Sequence, residues 1–187
     1  MDEKELINRI IEHNDHQAYK ILVDKYKRMV ISTCQAFSGN YHDAEDIAQD
    51  VFVELYESLH HFRHDSKLST WLYRISVNKS LNFIRRKKRM SLFDVLSASK
   101  DKTEQPIDNL AGLDEPNLNI EKKEQQRALR KAISKLPENQ RIAIVLSTYH
   151  ELSYKEIAEV METSVSSVES LLFRARNNLR KIMVKSN

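Results

Sequence analysis

Residues 60–89 read HHFRHDSKLSTWLYRISVNKSLNFIRRKKR, a polar loop feeding one helix, with Ser69 expected as the N-cap ahead of Trp71. Leu68, Leu72 and Ile75 recur at helical spacing and predict a core-facing stripe, but the same face continues as Lys79, Asn82 and Arg86. An apolar stripe thus turns polar within one helix. Along a neighbouring face run Trp71, Asn78, Asn82 and Arg89. They combine an aromatic ring, two amides able to bond base edges and a cation for phosphate, beside the basic run RRKKR at 85–89. This pattern suits a helix that reads nucleic acid. It equally suits a core tryptophan followed by a solvated basic helix end that complements the macrodipole, so the choice rests on the remainder of the chain.

A chain of 187 residues holds one large or two small domains. Only two glycines and three prolines punctuate it, 30% of residues are charged, and the frequent Leu, Ile, Lys, Glu and Ala favour helix, so the expected class is all-α. The net charge of +3 conceals a segregation. Residues 41–62 carry six acids and no lysine or arginine, whereas the stretches after Ile84 and after Phe173 are basic. One surface should therefore suit a basic protein and others a polyanion. Cys34 is the only cysteine, which excludes an intramolecular disulfide, and the N-terminus has no apolar run like a signal peptide or membrane span. The expectation is a soluble, cytoplasmic protein.

Leu6, Ile7, Ile10 and Ile11 form a first amphipathic stripe. In a second helix, Ala18, Ile21, Leu22, Tyr26, Met29, Val30, Thr33, Cys34 and Phe37 share a broad face, and Gly39-Asn40 is a natural stop. Cys34 is accordingly read as a core thiol rather than a redox switch, which would need an accessible, electropositive site. A third helix, about residues 43–59, buries Ala44, Ile47, Ala48, Val51, Leu55 and Leu59 and shows Asp43, Glu45, Asp46, Gln49, Asp50 and Glu54 on its other sides. These acids have no basic i,i+4 partner, so the face fits a docking surface as well as it fits plain solvation. His60, His61 and His64 lie close together but lack the accompanying cysteines or helical spacing of a metal site, and no metal or cofactor is expected.

After Arg89 the character changes. Residues 91–119 have no sustained apolar period and include Pro106, Gly112 and Pro116, as a flexible linker would, although Leu92, Phe93, Val95 and Leu96 could dock a short piece against a domain. A second bundle begins near Ile120, with Leu129, Ala132, Ile133 and Leu136 on one helix face. Pro137 then opens a helix whose buried side is Ile142, Val145, Leu146 and Tyr149. Ser153 and Glu156 form a capping box ahead of Ile157, Ala158 and Met161, and Ser164 or Ser166 caps a longer helix bearing Val168, Leu171, Leu172, Ala175 and Leu179. Two helices joined by a turn of about three residues, the second rich in arginine, match a helix-turn-helix, though an ordinary αα-hairpin has the same apolar spacing.

Taken together, these segments resemble the sigma-70 family of bacterial transcription initiation factors, and within it the small extracytoplasmic-function (ECF) group. The matching residues in the first half are DAEDIAQDVF at 43–52, FRHDS at 62–66, STWLYRI at 69–75 and Asn78. In the second half they are LPENQR at 136–141, LSYKEIA at 152–158, SVSSV at 164–168 and FRAR at 173–176. The resemblance covers nearly the whole chain. It implies a sigma domain 2 bundle over 1–90, a linker over 91–119 and a sigma domain 4 helix-turn-helix over 120–187.

The resemblance also implies roles for individual residues. Asp46, Gln49 and Asp50 would bind the β′ clamp helices of core RNA polymerase, with the β flap a further contact. The loop after them and the next helix would read and help open the promoter minus-ten element, through Phe62, Arg63, Asp65, Ser66, Asn78, Asn82, Arg85 and Arg86. Trp71, beside the apolar stripe, is assigned to the core rather than to base stacking. Glu169, Ser170, Phe173 and Arg174 would read the minus-35 duplex, with Arg176 and Arg180 on phosphate. Partners would be core polymerase, promoter DNA and an anti-sigma factor, often membrane-bound in the family, with no small-molecule substrate and no catalysis by this chain. Two positions depart from the family pattern. Glu162 stands where glycine often makes the turn, and Glu169 where a basic residue is usual; a carboxylate accepts from cytosine N4 but repels phosphate. A stand-alone helix-turn-helix regulator would leave the acidic helix and the aromatic-basic helix without a purpose. A nuclease would need matched metal-binding or general-base partners that the acids of 43–57 lack.

Overall fold

In the computed structural model, residues 2–97 and 120–184 are described, and among them all regular structure is helical. The chain divides into two compact units, residues 1–104 and 105–187. The segment 98–119, which holds most of the expected linker, lies outside the described residues.

The first unit runs α1 (Glu3–His13), α2 (His16–Ser38), α3 (Tyr41–Ser58), a 3₁₀ turn (Leu59–His61) and α4 (Leu68–Ser97). Short polar residues set the starts. Asp15 accepts from the Gln17 and Ala18 N–H groups, and Asn40 accepts from Asp43 N–H. Gly39, at φ 85°, ends α2 in the left-handed conformation that glycine takes without steric cost. α2, α3 and α4 pack on one another and α1 packs on α2. Their shared core contains Ile7, Leu22, Val30, Cys34, Ile47, Val51, Leu55, Leu68 and Leu72. Cys34 is fully buried, and desolvation pushes its thiol up to about 11, so it stays protonated and serves as core.

Several local expectations shift. α4 opens at Leu68, with the Lys67 carbonyl accepting from Trp71 N–H, so Ser69 sits inside the helix rather than capping it. Ile11 and Ile21 are exposed because each lies at the edge of its stripe, one residue from the buried Ile10 and Leu22. α4 also continues past Arg89 to Ser97, since no glycine or proline interrupts MSLFDVLS at 90–97. Leu92 and Phe93 are exposed on that extension instead of docked.

The second unit runs α5 (Ile120–Ser134), α6 (Glu138–Tyr149), α7 (Tyr154–Met161) and α8 (Val165–Val184), with α8 packed against each of the other three. Pro137 precedes α6, and the Ser153–Glu156 capping box opens α7 with both reciprocal bonds made. Ala158 is buried beside the turn, and Val168, Leu172 and Ala175 form the inner face of α8. Asn178 donates to Gln140 Oε1 at 2.8 Å, tying α8 to α6. Tyr149, expected in the core, is exposed at the last turn of α6, where the chain turns away.

His150 follows α6, and burial lowers its imidazole from the usual 6.5 to about 4, so the folded unit holds it neutral. The unfolded chain takes up the proton first. The contribution of His150 to stability is therefore complete above about pH 6.5 and is lost as pH falls toward 4. Protection of the α6–α8 amides in the full chain, taken relative to their intrinsic exchange rate at each pH, should fall through that window, and His150→Gln should flatten the dependence. An unchanged profile in the variant would contradict the assignment.

Candidate nucleic-acid interface

The loop at 62–67 is fastened to α4 by aromatic contacts. Phe62 stacks on Trp71 with ring centroids 5.1 Å apart and planes 12° from parallel, and His64 meets the Phe62 edge at 4.8 Å. His64 takes a left-handed backbone at φ 58°, which brings the loop sharply round. Trp71 is half-buried against the core, so it serves as the platform to which the loop is fixed. Arg63, Asp65 and Ser66 are exposed beyond this anchor. Along α4, Asn78, Asn82 and Arg89 fall within about 20° of the line through Trp71, at about 100° and 1.5 Å per residue. All three are exposed, as are Arg85 and Arg86, and Arg85 donates to Asn82 Oδ1 at 3.3 Å. Phe62 and the asparagines thus share one side of the unit.

On α3, Asp46, Gln49 and Asp50 are all exposed and lie on neighbouring turns. His42 Nδ1 is 3.5 Å from Asp46. The acids are not all without basic partners, however. Asp43 meets Lys87 at 2.8 Å and Glu54 meets Lys79 at 2.7 Å, both across to α4. The acidic helix therefore has two functions in the fold, with one edge bracing α4 and the outer face open. Val53, 57% exposed, adds an apolar contact to that outer face. The sequence reading passed over it because it lies off the buried stripe; the signal available was a β-branched residue one turn from Gln49 and Asp50.

On α8, Glu169, Ser170, Phe173, Arg174, Arg176 and Arg180 are exposed, on the sides of the helix away from the buried Val168, Leu172 and Ala175. Phe173 is 67% exposed. Arg174 Nε donates to the Ser170 carbonyl at 3.2 Å. A groove of about 400 Å³ runs beside it, lined by Asn139, Thr163, Ser166, Ser167, Ser170, Leu171 and Arg174. Of these, the sequence reading named Ser170 and Arg174 as readers; Asn139 comes from α6, which only the fold brings alongside. Glu162 is left-handed at φ 52°, and Thr163 N–H donates to the Ala158 carbonyl at 3.0 Å, so the turn keeps the geometry that a glycine would favour. Ser164 caps α8 by accepting from Ser167 N–H at 3.2 Å. Among the described residues there is no group of three or more His, Cys, Asp or Glu side chains placed to hold a metal ion. No described helix is long and apolar enough to cross a membrane.

Residues 22–90 match the model for sigma-70 region 2, and residues 126–179 match the model for sigma-70 region 4. The chain is 30% identical to the RNA polymerase sigma-H factor of Pseudomonas aeruginosa over 97% of its length and 93% of that protein's. It is 34% identical to the ECF RNA polymerase sigma factor SigW of Bacillus subtilis, over 91% of each chain. The chain belongs to the ECF group of the sigma-70 family. A solved structure of CnrH in complex with the cytosolic domain of CnrY shares the fold, with a TM-score of 0.66 and 23% identity over 99% of each chain. As a sigma factor, this protein confers promoter recognition and initiates transcription. The acidic face of α3, the loop and the asparagine line of α4 all fall within the region 2 match. Glu169, Ser170, Phe173, Arg174 and Arg176 fall within the region 4 match, and Arg180 lies one residue beyond it.

Proposed function

We propose that this sigma factor docks on the β′ clamp helices of core RNA polymerase through Asp46, Gln49 and Asp50, with Val53 as an apolar contact among them. The loop and α4 read and help open the minus-ten element, and α8 reads the minus-35 element in duplex form. The observation that carries this reading is the line from the Phe62–Trp71 stack through Asn78 and Asn82 to Arg89, set on the helix next to an outward acidic face. Asparagine presents a donor and an acceptor together, which matches adenine or the freed edge of an unstacked base. Extruding a base costs a few kcal/mol, and stacking with edge hydrogen bonds must offset that. Phe62 holds the loop through Trp71, while Arg63, Asp65 and Ser66 offer the polar groups. Arg85 and Arg86 meet phosphates.

On α8, Glu169, Ser170, Phe173 and Arg174 face base edges, while Arg176 and Arg180 meet the backbone. Glu169 favours a cytosine amino group over phosphate, so base choice there differs from that of a relative with a basic residue. The domains serving these tasks are 1–90 and 120–187, joined by 91–119, and the second also meets the β flap. CnrH is bound by the cytosolic domain of CnrY, and the family resemblance gives this protein a protein partner of its own, an anti-sigma factor, membrane-anchored in many family members. It acts in the cytoplasm, needs no cofactor and is not an enzyme; the polymerase makes every bond.

Two measurements test these roles. Reversing Asp46 and Asp50 together to lysine should weaken binding to core polymerase by about tenfold or more, through like-charge contact with a basic partner, with circular dichroism unchanged. Unchanged affinity would remove the docking assignment. Asn78→Ala and Asn82→Ala should each alter preference among minus-ten sequences by about 1–3 kcal/mol while core binding and the minus-35 contact persist. If both variants are slightly more helical and equally active on every promoter, these asparagines face only solvent.

A further inference from the structure

Phe83 and Ile84 are the last partly buried side chains described on α4, and residues 85–93 are exposed. Within that exposed arm, Lys87 turns back toward the body of the unit. Its ammonium lies 2.8 Å from Asp43 Oδ2 and 5.7 Å from the centre of the Phe83 ring. The Asp43 side chain is only 19% exposed, against 57% for Lys87, so the carboxylate is the fixed end of the pair. Asn40 bonds both the side chain and the backbone of Asp43. Asn40 Nδ2 donates to Asp43 Oδ2 at 2.6 Å, and Asn40 Oδ1 accepts from Asp43 N–H at 2.8 Å, which builds the acid into the start of α3. Glu54–Lys79 makes a second cross-helix pair.

We propose that Lys87 is a positioning residue that ties the basic arm of α4 to the first turn of α3, and that it is not one of the phosphate contacts of the run RRKKR. The inference rests on the reading of α4 as the minus-ten helix. A lysine facing phosphate would extend into solvent with its neighbours. Lys87 instead spends its charge on an acid of the docking helix, so the element that binds polymerase sets the angle of the element that reads DNA. Its place in the basic run gives no hint of this role.

The test uses full-length variants assembled with core polymerase, with open-complex formation measured over a salt series. Removing Lys87 and removing Asp43 change the net charge in opposite directions, which separates positioning from phosphate binding. Lys87→Met and Asp43→Asn should both lower open-complex formation, by about twofold to fivefold, as expected for loss of one partly exposed pair. Lys87→Arg should retain function, and the salt slope of Lys87→Met should match that of the parent. A slope reduced by about 0.9 in Lys87→Met identifies a phosphate contact and overturns the proposal. So does tighter promoter binding by Asp43→Asn, which frees the lysine, or no change in either variant. Asn82→Ala is run alongside. If it alters minus-ten preference while the lysine variants behave as phosphate contacts, only the positioning role falls; if it alters nothing, the reading of α4 falls and the inference with it.

Discussion

Burial of the first half of α4 against α2 and α3 is the constraint on which the rest of the first unit depends. Leu68, Leu72, Ile75 and Leu81 enter the core, and Ser76 and Ser80 are fully covered, with Ser76 Oγ donating to the Leu72 carbonyl at 2.7 Å. Truncating one such leucine costs about 2–5 kcal/mol, a large share of the 5–15 kcal/mol that holds a domain folded. That anchoring gives the second half of the helix its stiffness. A helix this short of core contacts beyond Ile84 would be marginal alone, yet as the continuation of a buried helix it carries exposed asparagines and cations on a rigid rod. The Phe62–Trp71 stack fastens the preceding loop to the same rod, so loop and helix share one frame.

Charge is divided by the same geometry. The acids of α3 that point to α4 are neutralised by Lys79 and Lys87, while Asp46 and Asp50 remain on the outer face. The bundle thus keeps an acidic outer face on α3 and a basic run on α4, a division that suits a basic protein on one side and a polyanion on the other. The second unit solves a related problem differently. There α8 is the packing hub and also carries exposed side chains along its length, with Val168, Leu172 and Ala175 inside and Glu169, Phe173 and Arg176 outside.

Much of this was legible in the sequence. The apolar periods of α2, α3 and α8, the Gly39 stop and the Ser153–Glu156 capping box are local signals, and the helices lie where those signals put them. The resemblance singles out Glu162 as standing where a glycine often makes the turn, and the residue does take the left-handed backbone that disfavours a Cβ. What was not legible was tertiary. The rule of i,i+4 pairing could find no partner for Asp43 or Glu54, because their partners lie on another helix, 44 and 25 residues along the chain. The stack of Phe62 on Trp71 and the arrival of Asn139 beside Arg174 are likewise consequences of packing. Ser69 misled because serine is favoured at an N-cap, whereas the backbone carbonyl of Lys67 accepts the first helical bond.

The central claim is that this chain supplies promoter choice to a polymerase that lacks it. Its most direct test is multi-round transcription in vitro by core RNA polymerase over a pool of genomic promoter fragments, with and without the purified protein. The account predicts that the protein directs initiation to a discrete subset of fragments sharing two separated sequence elements upstream of their start sites. An unchanged transcript profile, or enrichment of fragments that share one element alone, would contradict it.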